Sequence, residues 1–245
     1  MKRCIMLLLV LLMCTSCAGN SPLLLESLSS QASASEYTVT TETEVITENF
    51  TSEPSTNDLD SPSEHTMRVL ESEIRRKLRI DPNEPISEED FLKIESLSLI
   101  EENIVDVSPI AQLKNLKFLC LLKNYELVKI DTLANLTKLK ELDLSYTNVS
   151  DLSALQFMTS LEILDLLFTP VSDLSALSNL RNLRELNLYE TSTQGLEALM
   201  RVAALERLVL IDSELAIRFM NGDVDTLDQY ERFKIALPNC KVIWK

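Results

Sequence analysis

Four carboxylates have the strongest claim to chemistry in this chain: Glu141, Asp143, Asp165 and Glu185. Each flanks a leucine, and like positions recur at steps of 22 or 44 residues. If that setting folds the same way each time, their oxygens line up on one surface and could face a hard cation such as calcium. Calcium takes about six to eight oxygen ligands, and no loop between these residues organises such a set. Acid–base catalysis is weakly supported too, because carboxylate pairs are commonplace in a chain with 38 acidic and 23 basic residues. The rest of the catalytic repertoire is thin. His65 is the only histidine, which removes Ser-His-Asp and Cys-His arrangements and histidine-based zinc sites. Gly19, Gly195 and Gly222 are the only glycines, too few for a glycine-rich phosphate loop. No enzymatic activity, cofactor or metal is expected.

The leucines that flank these acids belong to a longer pattern. Leu-x-Leu pairs begin at Leu97, Leu119, Leu142, Leu164, Leu186 and Leu208, at intervals of 22, 23, 22, 22 and 22 residues. Other apolar columns keep the same step, for example Val149, Leu152, Leu155, Met158 and Leu161 against Val171, Leu174, Leu177, Leu180 and Leu183. The one extra residue of the second interval falls near Tyr125 and reads as a bulge, since register returns by Leu127 and Ile130. Small polar residues, Asn124, Thr147, Thr169, Thr191 and Ser213, stand where the chain leaves each strand, where turning backbone needs partners inside the stack. Ser-Asp-Leu-Ser-Ala-Leu occurs at Ser150 to Leu155 and again at Ser172 to Leu177. Asp151 and Asp173 are placed to accept from the free N–H groups of the helical turn that follows.

A period of 20 to 29 residues with this pattern is the signature of a leucine-rich repeat. The expected fold is therefore an α/β solenoid of about six 22-residue coils with a parallel sheet. Each coil cannot bury its apolar edge alone, so neighbours share one core. The Val-Ser-Asp-Leu-Ser-Ala-Leu coils, and the run Ile86 to Leu92 that leads into them, resemble the bacterial leucine-rich repeats of the internalin type. That resemblance covers roughly Met67 to Lys245. It implies a curved sheet whose concave face binds a protein ligand, without saying which one.

Both ends of an open sheet need covers. Met67, Leu70, Ile74 and Leu78 predict a helical N-terminal cap over 66–96, with Asp81-Pro82-Asn83 as a break and Ser87-x-x-Asp90 starting a second short helix. The repeats occupy 97–215. The C-terminal cap over 216–245 reads as one helix carrying Leu227, Tyr230, Phe233 and Leu237, stopped by Pro238, then a last strand at Cys240 to Trp244. Cys120 and Cys240 would lie five strand spacings apart, roughly 24 Å at about 4.8 Å each, beyond the ~7 Å that a disulfide spans.

The register also predicts a binding face. With both leucines of each pair turned inward, the residues before, between and after them point outward. Those columns and the rim position beyond them place Phe118, Leu122, Tyr146, Ile163, Leu167, Phe168, Tyr189, Val209 and Ile211 on one surface. Cys120 should share it as an outward thiol. An exposed apolar patch of several hundred Å² marks an interaction site, or a surface covered by the chain tail or a second copy. The expected function is surface recognition or adhesion through a protein ligand; the alternative is an envelope scaffold that docks a resident protein or glycan.

The N-terminus predicts where that happens. Lys2 and Arg3, an apolar run from Ile5 to Met13, and Cys14-Thr15-Ser16-Cys17 describe a secretory signal over 1–17, too short for a comfortable membrane span. Cys directly after Thr-Ser resembles a bacterial lipoprotein cleavage box, which makes Cys17 the candidate for lipidation. The other reading is ordinary cleavage near Ala18. Either exports the chain, in the first case anchored to the outer face of the cytoplasmic membrane or the cell surface. Residues 18–65 hold nine acids and no Lys or Arg among mostly Ser, Thr, Pro and Asn. Such composition cannot bury enough surface to fold, and its random-coil reach is roughly 35–40 Å, so it reads as a tether with His65 solvated at its end. Removing 1–17 takes away two basic residues and no acids, moving the net charge from −15 to −17. That disfavours nucleic acid and anionic lipid as partners.

Overall fold

The computed structural model describes residues 61–244; the signal segment, Cys17 and the acidic stretch up to 60 lie outside the described residues. Each Leu-x-Leu pair begins in a three-residue strand: β1 (Ser96–Ser98), β2 (Phe118–Cys120), β3 (Glu141–Asp143), β4 (Ile163–Asp165), β5 (Glu185–Asn187) and β6 (Arg207–Val209), with β7 (Lys241–Ile243) as the seventh. All pair in parallel in chain order, and Leu97, Leu119, Leu142, Leu164, Leu186, Leu208 and Val242 stand in one register row. The return path of each full coil contains one 3-10 turn, such as Ser153–Phe157 and Ser175–Asn179. The inward leucines are essentially inaccessible and form one continuous core with the apolar residues of the return paths. This is the expected leucine-rich repeat solenoid.

The small polar column does what its position requires. The hydroxyls of Thr147, Thr169, Thr191 and Ser213 each donate to the carbonyl three residues back, at 2.6–2.9 Å. Asn124 does more: its amide donates to Leu99 and Leu121 carbonyls at 2.8 and 2.7 Å, and its oxygen accepts from Ile104 N at 2.8 Å. Asp151 and Asp173 accept from the N–H of Ser153 and Ser175, both at 2.8 Å.

The caps are larger than the sequence pattern indicates. Helix α1 spans Pro62–Leu78, so 62–65 are its first turn rather than the end of the acidic stretch. Ser61 and Glu64 form a capping box with Pro62 between them, which is enough to start the helix in Ser-rich sequence. His65 is accordingly no solvated linker residue: its Nε2 lies 2.8 Å from the Glu102 carbonyl and ties α1 to the first coil. Helix α2 (Glu88–Leu92) follows, with the Asp90 carboxylate accepting from Ser87 as expected. At the other end there are two helices where one was expected, α3 (Glu214–Met220) and α4 (Val224–Ala236). Ser213 serves twice, ending the last coil through Leu210 and accepting from Ala216 N at 3.2 Å to cap α3. Phe219 stacks on Trp244 with centroids 4.4 Å apart, and Tyr230 packs edge-on against both. Cys240 is buried here, and burial pushes its thiol up to about 11. No helix among the described residues is long and apolar enough to cross a membrane.

Candidate binding face

On the sheet face away from the core, the column between the leucines forms a hydrogen-bonded floor. Three of its polar members accept from the backbone N–H two residues ahead, which fixes the exit from their strands. Asp143 accepts from Ser145 N at 2.9 Å, Asp165 from Leu167 N at 3.0 Å and Asn187 from Tyr189 N at 3.1 Å. Side chains then link the coils. The Cys120 thiol lies 3.5 Å from the Asp143 carboxylate, the Ser145 hydroxyl donates to Asp165 at 2.8 Å, and the Asn187 amide donates to both Asp165 oxygens at 3.1 and 3.2 Å. These bonds account for the two aspartates that the sequence raised as cation ligands. Among the described residues no group of three or more acidic, His or Cys side chains is placed to hold a metal ion. Cys120 is fully buried in this floor rather than an outward thiol.

Asp143 and Asp165 are direct partners across β3 and β4. Enclosure, with the neighbouring Asp143 charge, pushes Asp165 up to about 6 despite its donors. The sign follows from a folded acid that holds its proton more tightly than the unfolded one. Its stabilising contribution is complete below about pH 4 and is lost as pH rises through about 6. Asp165→Asn should therefore stabilise the fold by about 1–3 kcal/mol at pH 8 by removing the enclosed charge, keeping Oδ1 as acceptor for Ser145 and Leu167 and giving up one bond from the Asn187 amide. The gain should shrink as pH falls toward 4. Urea unfolding of both proteins across that range checks this; a pH-independent difference, or a less stable variant at pH 8, contradicts it.

Beyond the floor the chain turns sharply, and the turning residue of every coil sits in the left-handed region. Glu101, Lys123, Tyr146, Phe168, Glu190 and Asp212 have φ between 49° and 62°. Such a conformation is an outlier for bulky residues. In the first five, the N–H donates to a carbonyl of the next coil at 2.8–3.0 Å, which holds the turn in place (Glu101 to Leu122, Tyr146 to Leu167, Glu190 to Ile211 among them). In this column Tyr146 stacks on Phe168 with centroids 4.6 Å apart and planes at 23°, and Phe168 meets Tyr189 at 5.6 Å and 52°. The three rings make an aromatic ridge across three coils. Burial pushes Tyr189 up to about 12, helped by the Glu190 and Asp212 charges.

The nine residues expected on this face are on it, but they are not equally accessible. Only Phe168 is exposed, at 37%, whereas Phe118, Tyr146, Ile163, Tyr189 and Ile211 are half-buried. Leu122, Leu167 and Val209 are each only 5% exposed and lie outside the continuous core. The broad open patch expected from the columns is therefore corrected to a ridge. Parallel strands about 4.8 Å apart press neighbouring side chains together, which covers positions that alternation alone would leave open. The pattern gave no sign of a further feature, ion pairs between coils in the column two positions before each strand leucine. Lys117–Glu95, Lys140–Glu162 and Arg184–Glu206 pair at 2.6–2.8 Å. Following the rim column past Phe168 would have found Glu190 and Asp212.

A family model described as leucine-rich repeats, two copies, matches residues 137–179. No curated protein matches the chain. Among solved structures, internalin C2 of Listeria monocytogenes is similar at 22% identity and a TM-score of 0.57, covering 69% of this chain and 79% of that one. A second Listeria monocytogenes internalin gives 22% and 0.50 over 71% of this chain and 67% of its own. A leucine-rich repeat protein of Leptospira interrogans gives 22% and 0.51, covering 63% of this chain but 38% of its own. Likeness at this identity is one of fold, and the fold it identifies is the leucine-rich repeat solenoid.

Proposed function

We propose that this protein is a non-catalytic, exported recognition module that docks a protein ligand on the open face of its sheet. The observation that carries the reading is the ridge of Tyr146, Phe168 and Tyr189. Stacked rings present large, rigid contact area at a low entropic cost, and binding energy concentrates in a few central anchors of this kind. Half-buried Phe118, Ile163 and Ile211 extend the apolar surface, and the net negative charge suits a partner with basic residues. Export rests on the basic, apolar and Thr-Ser-Cys organisation of residues 1–17. Acylation at Cys17 would leave the repeats on a long acidic tether at a membrane surface. Cys17→Ala should then accumulate unprocessed precursor, and normal processing of that variant would point to ordinary signal cleavage.

The face is tested by cross-linking on intact cells and pulldown. Phe168→Ser with Tyr189→Ser should abolish partner capture, a loss of about 2 kcal/mol or more at each anchor. Asn179→Ala, on the return path, should leave capture intact. Undiminished capture by the double variant, with its melting midpoint little changed, would sink the reading.

A further inference from the structure

The aromatic ridge ends in two acids that no ion pair among the described residues offsets. Four acids along the coils face a base one coil away: Glu95 faces Lys117, Glu162 faces Lys140, Glu206 faces Arg184, and in the rim column itself Glu101 faces Lys123 at 3.5 Å. The rim column then runs through Tyr146 and Phe168 to Glu190 and Asp212, two acids on adjacent coils. Neither makes an ion pair among the described residues. Burial, with the charges of both carboxylates, pushes the Tyr189 hydroxyl up, so both acids lie near that ring. Beside them, the Phe168 ring is the most exposed part of the ridge.

We infer that the end of the ridge formed by Phe168, Tyr189, Glu190 and Asp212 receives an arginine side chain of the docked protein. This rests on the docking reading above and names the chemistry of its partner. A guanidinium is planar and weakly hydrated, so it stacks on an aromatic face while its edge donates to carboxylates. It would donate to both carboxylates and offset their charge. Lysine would satisfy the charge but not the paired, planar geometry.

The probe is a fluorescent hexapeptide of alternating glycine and arginine, titrated against the full chain in detergent by polarisation. Arginine is compared with its neutral isostere citrulline and with lysine. Binding should be strongest for arginine, weaker for lysine and about tenfold or more weaker for citrulline. Glu190→Gln with Asp212→Asn should lower arginine-peptide affinity by about tenfold, and Phe168→Leu should lower it with the charges intact. A control that removes equal charge elsewhere, Glu88→Gln with Glu231→Gln, should stay within about twofold, because exposed charges beyond a Debye length are largely screened. Equal binding of the arginine and citrulline peptides, or equal losses in the ridge and control variants, would overturn the inference. The cell pulldown separates the two failures. Capture kept by the Glu190/Asp212 variant but lost by the Phe168/Tyr189 variant would retain docking and reject the arginine. Capture kept by both would reject docking itself.

Discussion

Replacing Asn124 by Ala should destabilise the fold by roughly 3–6 kcal/mol, more than any other single polar change in the coils. Asn124 is fully buried and satisfies three backbone groups at once: the carbonyls of Leu99 and Leu121 and the N–H of Ile104. Alanine would leave the Leu99 carbonyl and the Ile104 N–H without that partner and the Leu121 carbonyl with only the 3.3 Å bond from the backbone N–H of residue 124, and each orphaned buried group costs about 1–3 kcal/mol. Thr147, in the same column, satisfies one carbonyl, so Thr147→Ala should cost only about 1 kcal/mol. Asn124→Thr makes a sharper comparison. It can restore the bond to Leu121 that the column shares but cannot bridge to Leu99 or Ile104, so it should recover about a third of the loss. Urea denaturation of the three variants decides the matter. A cost for Asn124→Ala no larger than that of Thr147→Ala would mean that the amide is dispensable.

Leu166→Ala should cost roughly 2–5 kcal/mol through lost burial and a residual cavity in the middle of the stack. Leu166 is inaccessible and belongs to the continuous core. Its neighbour Leu167 was expected to be an exposed face residue, but it is only 5% exposed. Covered on the outer face by neighbours that can shift, it should lose about 1–3 kcal/mol on truncation, at the low end of large-to-small changes. The order of the two, measured in one denaturant series, is the result to watch. Leu167→Ala costing more than Leu166→Ala would place the mechanical centre of the coil on the binding face rather than in the core.

These two sites show what was legible in the chain and what was not. The register was readable because an inward leucine has no alternative: a slip of one residue turns every apolar side chain to solvent, and that constraint repeats at each step from Leu97 to Leu208. The column of Asn124, Thr147, Thr169, Thr191 and Ser213 was readable for a similar reason, since the same backbone groups need the same partners in each coil. Exposure on the face was not readable. Whether Leu167 is open depends on the sizes of its neighbours in three dimensions, and alternation along a strand gives direction only. The start of α1 was missed although Ser61-Pro62-Ser63-Glu64 carries a capping box, because the signal sits in a Ser-rich acidic stretch that reads as unfolded by composition. Helix α3 was missed because Ser213 fits the coil column as well as an N-cap.

The two Val-Ser-Asp-Leu-Ser-Ala-Leu segments, at Val149 and Val171, are equivalent in sequence, in return path and in sheet register. A gene encoding such a chain can recombine with itself between them. Excising residues 150–171 joins Val149 to Ser172 and leaves Leu142 facing Leu186, a pairing of the same kind as before. Duplicating the same stretch adds one more such step. The molecule can thus change the length of its sheet face by about 4.8 Å at a time without redesigning the core. Excision removes Asp165 and Phe168 and sets Tyr146 beside Tyr189, whereas duplication repeats that aspartate and that ring. Variation in the open face is coupled by this periodicity to the coil count, and whole coils are a coarser and safer unit for it than single residues.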